Sequence, residues 1–331
     1  MQQSLPIVDS FGRRHTSLRI SVTDRCNIRC VYCMPEFVKF LPQRDLLTFE
    51  EIERLVKMIV PLGVNQIRLT GGEPLVRSQL DLLVSMLVNV KGIDEVAMTT
   101  NAVLLDQQAQ RLKDAGLRRL NISLDTIDAN LFQQITRRDV LPKVLRGIDA
   151  ALDVGFEGTR INAVPVPLLA DEHLIALARF TKSKRLELRF IEYMPLDGDQ
   201  QWNEGAVRSG LELRRLISKH VGTLIEAPRH DINQPAVDYQ YQDNGVKIGF
   251  IDSVTSPFCQ NCNRMRITAE GKFRNCLFSN AEWDLKTALR SGTDEEVISL
   301  IRSAITAKKR GHGTDDGSFF RPDRAMYQIG G

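Results

Sequence analysis

The sequence lacks the features of membrane, secreted and nucleic-acid-binding proteins. No apolar run approaches the roughly 18 residues that a membrane-spanning helix needs. The first residues contain no apolar segment and carry Asp9, Arg13 and Arg14, unlike a secretory signal. A net charge of +3 is too small to indicate nucleic acid or a membrane surface as a partner. We therefore expect a cytoplasmic protein that binds neither.

Cysteine is scarce, but it is concentrated. The 6 cysteines form two groups of three, namely Cys26, Cys30 and Cys33, and Cys259, Cys262 and Cys276. In a reducing cytoplasm, clustered cysteines indicate metal ligands rather than disulfides. Structural zinc takes four ligands, and no histidine lies at ligand spacing beside either group. Three thiolates on a 4Fe–4S cluster leave one iron open to another ligand. Iron–sulfur clusters are the favoured interpretation, and a zinc-stabilised binding module is the alternative.

Short β-branched runs alternate with amphipathic stretches from Leu18 to Glu192. The pattern predicts strands at 18–23, 65–70, 93–98, 118–124, 157–164 and 185–192, with helices near 49–60, 78–90, 106–115, 142–154 and 171–183. Thr48 and Glu51 form a predicted capping box for the first helix. This alternation predicts parallel βα units, arranged either as an open sheet or as an incomplete barrel. The rhythm breaks after Met194, and we place a domain boundary between 1–215 and 216–331.

Candidate ligand-binding residues follow the predicted strands. The segment 71–74 reads GGEP, and residues 99–101 read TTN. Arg264 and Arg266 lie two apart on a predicted strand, so both side chains face one side, and arginine suits phosphate oxygens. The chain contains no GxxxxGK[ST] motif. A nucleotide would therefore be bound by side-chain cations rather than by a P-loop.

Several motifs resemble known families. CNIRCVYC has the C-x3-C-x2-C spacing of the radical S-adenosylmethionine (SAM) superfamily. LRISVTDRCNIRCVYCMP, RLTGGEPLVR, TTN, NISLDT, LRFIEYMP, CNRMR and the terminal IGG resemble, in order and over essentially the whole chain, the GTP 3′,8-cyclase family. The resemblance implies an α/β fold: an incomplete (βα)6 TIM-type barrel with a C-terminal α+β iron–sulfur domain covering the barrel mouth. It also implies a lyase that uses two 4Fe–4S clusters and SAM in the first step of molybdenum cofactor biosynthesis.

The same resemblance assigns roles to individual residues. The first cysteine group would hold the cluster that binds SAM, and the second group would hold another cluster. The SAM contacts would be Tyr32, Gly72, Ser123 and Met194. The GTP contacts would be Arg19, Arg68, Thr99, Arg160, Arg264, Met265 and Arg266, with Arg189 as an additional anion contact. The catalytic set would be the first cysteine group with Arg264, Arg266, Gly330 and Gly331, the two glycines entering the barrel beside GTP.

Two positions depart from the family's pattern: Arg160 stands where lysine is usual, and Ala102 where glycine is usual. The expected partners are GTP, a low-potential reductant such as flavodoxin or ferredoxin, the next enzyme of the molybdopterin pathway, and a second copy in a homodimer. The alternative function is that of a radical SAM enzyme whose auxiliary cluster serves a peptide substrate.

Overall fold

The computed structural model describes residues 5–229, 231–314 and 319–330. Twelve strands in these ranges form one continuous sheet, in the order β12-β11-β10-β1-β2-β3-β4-β5-β6-β9-β8-β7. The strands are β1 Ser17–Ser21, β2 Gln66–Thr70, β3 Glu95–Thr100, β4 Arg119–Ser123, β5 Arg160–Ala163, β6 Glu187–Ile191, β7 Leu224–Glu226, β8 Val237–Tyr241, β9 Lys247–Ile251, β10 Arg264–Ile267, β11 Lys272–Arg274 and β12 Trp283–Asp284. The six predicted N-terminal strands are therefore confirmed.

Ten α-helices connect or follow the described strands. They are α1 Phe49–Ile59, α2 Leu80–Val88, α3 Ala109–Asp114, α4 Ala129–Thr136, α5 Leu141–Asp153, α6 Asp171–Ser183, α7 Gly210–His220, α8 Leu285–Ser291, α9 Asp294–Thr306 and α10 Met326–Ile329. The predicted capping box is present: Glu51 N donates to Thr48 Oγ1 at 3.2 Å, and Thr48 N donates to Glu51 Oε2 at 2.8 Å. Helix α4, whose N-cap is Asp128, was not predicted from the sequence.

The barrel strands β1 to β6 pair in parallel and in sequence order. The C-terminal part extends this sheet at both edges, since β9 pairs in parallel with β6 and β10 pairs in parallel with β1. Antiparallel strands β8 and β11 continue outward on either side. The two parts of the chain thus share one sheet, and the boundary at residue 215 stays a prediction.

Alternation along the strands separates an apolar outer face from a polar inner face. On β1, Leu18 and Ile20 belong to the hydrophobic core, whereas Arg19 between them lines an internal cavity. TIM-type barrels usually fill their interior with branched apolar side chains. Here charged side chains replace that packing, and space for a ligand remains.

None of the helices in the described ranges is both long enough and apolar enough to cross a membrane.

Candidate functional site

The site is a cavity of about 660 Å³ inside the curved sheet. Both cysteine groups line it, together with Tyr32, Gly72, Ser123, Met194, Thr99, Arg19, Arg68, Arg160, Arg189, Arg264 and Arg266. The fold therefore brings nearly all the predicted site residues to one cavity, although they are spread along the chain from Arg19 to Cys276.

The first cysteine group lies in the loop after β1, packed against the GGEP segment. Gly72 N donates to Thr23 O at 2.7 Å, and Glu73 N donates to Arg25 O at 2.7 Å. A Cβ at Gly72 would lie 2.4 Å from the carbonyl oxygen of Arg25. Glycine is therefore required at position 72 for the two loops to pack. Gly72 nevertheless lines the cavity.

A buried carboxylate joins the GGEP and TTN segments. Glu73 accepts hydrogen bonds from Leu75 N at 3.0 Å, Thr100 Oγ1 at 2.7 Å and Asn101 N at 2.7 Å. Burial raises the pKa of Glu73 to about 7 despite these bonds. The Asn101 amide in turn donates to Cys26 Sγ at 3.7 Å. The hydrogen bonds from Glu73 through Asn101 thus position Cys26, the first cysteine of the group.

A second buried carboxylate lies on the other side of the loop. Asp125 accepts from Tyr32 Oη at 2.7 Å and from Val164 N at 2.8 Å. Burial raises its pKa to about 6. Its hydrogen bond holds the Tyr32 ring beside the cysteines, at the end of the cavity where Ser123 and Met194 lie.

The first cysteine group fits an iron–sulfur cluster. Burial raises the pKa of Cys26 to about 11 and also raises the pKa values of Cys30 and Cys33, so the three thiolates require nearby positive charge. Within the described ranges, no three Cys, His, Asp or Glu side chains converge on the position of a single metal ion. The thiolates of a cubane need not converge in that way, because each binds its own iron.

The second cysteine group lies at the other end of the cavity. Strand β10 runs parallel to β1 with Arg264 beside Ser17, so Cys262, two residues earlier, is at the amino end of these strands. Cys276 follows the antiparallel strand β11 and returns to the same end. The first group follows the carboxyl end of β1, a strand that spans about 13 Å. The two groups therefore face each other across the length of the barrel.

A row of arginines crosses the cavity between the two groups. Arg266, Arg19 and Arg68 are register partners on the neighbouring strands β10, β1 and β2. Burial and the mutual repulsion of the guanidinium groups lower the pKa values of Arg19 and Arg68, and lower that of Arg266 to about 9. Among the described residues, none of the three forms an ion pair with a carboxylate. Such a row favours a polyanionic ligand, whose charge would remove this repulsion.

Other inward-facing arginines already have carboxylate partners. Arg160 Nε lies 3.0 Å from Glu187 Oε2, and Arg189 Nε lies 2.5 Å from Glu187 Oε1. Arg119 pairs with Glu95 at 2.6 Å. The sequence analysis did not include this last pair, although inward alternation along β3 and β4 would have placed both residues in the cavity.

One predicted GTP contact faces away from the cavity. The Met265 side chain is 1 % exposed and belongs to the hydrophobic core, because it lies between the inward-facing Arg264 and Arg266 on β10. Its side chain therefore packs behind the sheet, and only its backbone is near the site.

The C-terminal tail reaches the arginine row. The carbonyl oxygen of Gly330 accepts a hydrogen bond from Arg266 Nη1. Gly330 has φ +74°, and a Cβ there would lie 2.7 Å from Thr70 Cγ2. Glycine is thus required both for the backbone conformation and for the approach to β2. Gly331 lies outside the described residues.

Known proteins match both halves of the chain. The family model Radical SAM superfamily matches residues 20–181, and Molybdenum Cofactor Synthesis C matches residues 186–314. GTP 3′,8-cyclase of Rhodopirellula baltica is 47% identical over 100% of this chain and 94% of its own length. GTP 3′,8-cyclase of Corynebacterium glutamicum is 45% identical over 98% of this chain and 89% of its own. The chain belongs to the GTP 3′,8-cyclase family.

Solved structures agree on the fold of this family member. Streptococcus suis SuiB bound to S-adenosylmethionine has a TM-score of 0.62 and 17% identity, over 92% of this chain and 68% of its own. At that identity the likeness shows the fold alone. It confirms the predicted radical SAM barrel with a further C-terminal part.

The departures from the GTP 3′,8-cyclase family pattern now have a structural setting. Ala102 adopts φ +61°, a left-handed conformation that favours glycine. Arg160 keeps the positive charge of the usual lysine and uses its Nε to bind Glu187. The sequence analysis also missed Lys308, which is buried beside Cys262, because the two residues are far apart in the chain.

Proposed function

We propose that this chain is a radical SAM lyase that converts GTP to (8S)-3′,8-cyclo-7,8-dihydroguanosine 5′-triphosphate, the first step of molybdenum cofactor biosynthesis. Membership of the GTP 3′,8-cyclase family supports this proposal. The observation that carries it is a cavity with three cysteines at each end and, between them, a row of arginines that have no carboxylate partner among the described residues.

At the carboxyl end, Cys26, Cys30 and Cys33 hold a 4Fe–4S cluster, and Tyr32, Gly72, Ser123 and Met194 contact SAM. When bound and reduced, these cofactors would supply the radical chemistry that removes hydrogen from C3′ of GTP. The chain itself orients the cofactors and excludes water. Asp125 accepts a hydrogen bond from Tyr32, and Asn101 donates one to Cys26. The Tyr32 and Cys26 side chains are therefore preorganised before SAM binds.

In the middle of the cavity, Arg19, Arg68, Arg264 and Arg266 bind the triphosphate, with Thr99, Arg160 and Arg189 as further contacts. Planar guanidinium groups match phosphate oxygens in bidentate geometry. The charge of the triphosphate also relieves the repulsion among the buried arginines. Binding is therefore coupled to the stability of the barrel interior.

At the amino end, Cys259, Cys262 and Cys276 hold a second 4Fe–4S cluster, and the guanine faces it. This orientation places the triphosphate at the arginine row and the C3′ and C8 atoms within one cavity, where the new bond forms. Gly330, whose carbonyl oxygen accepts a hydrogen bond from Arg266, brings the C-terminal tail beside the nucleotide and helps to position it.

A low-potential reductant of the flavodoxin or ferredoxin type supplies electrons in the cytoplasm, where cysteines stay available as thiolate ligands rather than forming disulfides. The product passes to the next enzyme of the pathway, and the protein acts as a homodimer.

Turnover under anaerobic conditions tests this function. Protein reconstituted with iron and sulfide is incubated with SAM, GTP and dithionite, and nucleotides are separated by chromatography with mass detection. We expect 5′-deoxyadenosine and a cyclised nucleotide of the same mass as GTP, both dependent on GTP. SAM cleavage that proceeds equally with ATP, or only with a peptide, would contradict the proposal.

A further inference from the structure

Lys308 is a buried lysine beside the second cysteine group. It lies two residues beyond α9 and is 5 % exposed. Its Nζ donates to Cys262 Sγ at 3.5 Å and to the Arg264 carbonyl oxygen at 2.9 Å. Among the described residues no carboxylate forms an ion pair with this ammonium group. The sulfur of Cys262 is therefore the acidic group that it contacts.

The N-terminal segment holds Lys308 in place. The Arg13 guanidinium group donates to three backbone carbonyls, those of Cys259 at 2.7 Å, Lys309 at 2.7 Å and Arg310 at 2.9 Å. Asp9 holds Arg13 in turn, through an ion pair of 2.5 Å. One side chain thus ties the loop of the second cysteine group to the residues that follow Lys308. Lys308 is therefore a buried side chain next to a braced backbone, unlike a flexible lysine on the surface.

The neighbouring imidazole adds no further positive charge. Burial, and then the charge of Lys308, lower the pKa of His15 to about 4. His15 is therefore neutral near pH 7, and its Nε2 lies 3.1 Å from Asp9 Oδ2. Arg19, Arg264 and Arg266 also lie near Cys262, but these three line the cavity, whereas Lys308 reaches the sulfur from outside it.

This arrangement makes Cys262 different from the other cysteine before β10. The Cys262 sulfur accepts a hydrogen bond from the Lys308 ammonium group at 3.5 Å. Cys259 is instead held through its backbone, whose carbonyl oxygen accepts a hydrogen bond from Arg13 Nη1 at 2.7 Å. A fixed buried cation favours added negative charge on any group bound to the neighbouring sulfur, since the low-dielectric surroundings screen the interaction weakly.

We propose that Lys308 is a positioning residue for the second cluster: its ammonium group orients the Cys262 thiolate and raises the reduction potential of the cluster bound there. Lys308 does not line the cavity, so it acts through Cys262 rather than by touching GTP or SAM. The inference rests on the proposed second cluster.

The test uses the full chain with the first cysteine group removed, as the triple variant Cys26→Ala, Cys30→Ala and Cys33→Ala. In this background we compare Lys308→Met, which keeps the length and removes the charge, with Lys308→Arg, which keeps the charge. Lys309→Met, at an exposed neighbouring position, is the matched control. Iron content is measured after anaerobic reconstitution, and the midpoint potential is measured by dithionite titration with redox mediators, followed by electron paramagnetic resonance.

We expect about four irons per chain in the background and the control. Lys308→Met should shift the midpoint potential to a more negative value, and Lys308→Arg should restore it. Loss of iron in Lys308→Met alone, with Lys308→Arg retaining iron at the background potential, would equally support the orienting role.

Three results would overturn the proposal in distinguishable ways. A background variant that binds no iron would remove the second cluster and this role with it. Iron-loaded Lys308→Met with the background potential would leave the second cluster standing and refute the role of Lys308. Loss of iron in both Lys308 variants would reduce the residue to a packing role.

Discussion

Gly330→Ala is the substitution for which the structure defines the effect most sharply. Gly330 has φ +74°, and an added Cβ would lie 2.7 Å from Thr70 Cγ2 and 3.3 Å from Ser21 Cβ. The left-handed conformation costs an alanine about 1–2 kcal/mol. Forcing a methyl group into a packed site costs about 1–3 kcal/mol more.

The sum, about 2–5 kcal/mol, opposes docking of the tail rather than folding of the barrel. It lowers the docking equilibrium by a factor of about 30 or more. If the docked tail positions GTP, hydrogen abstraction should become less productive while SAM cleavage persists. We expect the ratio of cyclised nucleotide to 5′-deoxyadenosine to fall at least about tenfold, the effect of 1.4 kcal/mol.

Two variants control for the separate contributions. Thr70→Ser in the Gly330→Ala background removes the methyl group that clashes and keeps the hydroxyl, so it should recover part of the ratio. Gly155→Ala imposes a similar strain at φ +76° with no atom within 4 Å of the added Cβ, far from the tail, and should leave the ratio unchanged. A wild-type ratio and rate in Gly330→Ala itself would refute the role of the tail.

Three further predictions test the site and its loops. Arg68→Ala should weaken GTP binding about tenfold to a hundredfold, because it removes a charge-assisted bond of about 1.5–3 kcal/mol. The control Arg118→Ala, at an exposed position, should leave GTP binding unchanged. Equal affinities of the two variants in equilibrium dialysis would contradict this prediction. Cys26→Ala and Cys276→Ala should each lose about four of about eight irons, but only Cys26→Ala should abolish SAM cleavage. Equal rates of SAM cleavage by the two variants would be inconsistent with separate clusters. Ala102→Gly should raise the midpoint temperature of thermal unfolding by about 1–3 °C, because relief of the left-handed backbone strain outweighs the greater entropy of the unfolded chain. A lower midpoint temperature in calorimetry would count against this prediction.

The sequence was most informative where its signals are local. Alternating β-branched runs identified the six barrel strands, and the cysteine spacing singled out the first cysteine group, which lines the cavity. Thr48 and Glu51 lie three residues apart and marked the first helix correctly. Each of these features depends on residues within one element or one loop.

The features that were missed depend on long-range packing. Strands β9 and β10 join opposite edges of the barrel sheet, a pairing that no short pattern encodes. Lys308 meets Cys262 across 46 positions of sequence, and Arg13 is one of the side chains that join their two segments. The missing Cβ of Gly72 also makes room for the Arg25 carbonyl oxygen, a contact that the sequence did not indicate. Such contacts require the tertiary structure.

One short local signal was also overlooked. Asp128 accepts a hydrogen bond from Leu131 N at 2.8 Å and begins α4, on which Phe132 and Ile135 are buried three residues apart. The helix has 8 residues, close to the shortest lengths for which periodicity distinguishes a helix from a loop.

The measurement that tests the account most directly is the fate of the hydrogen at C3′ of GTP. The anaerobic enzyme is incubated with SAM and GTP carrying deuterium at C3′, and both products are analysed by mass spectrometry. The account predicts one deuterium in 5′-deoxyadenosine and none at C3′ of the cyclised nucleotide. Deuterium that stays at C3′, or 5′-deoxyadenosine that forms without the label, would contradict it.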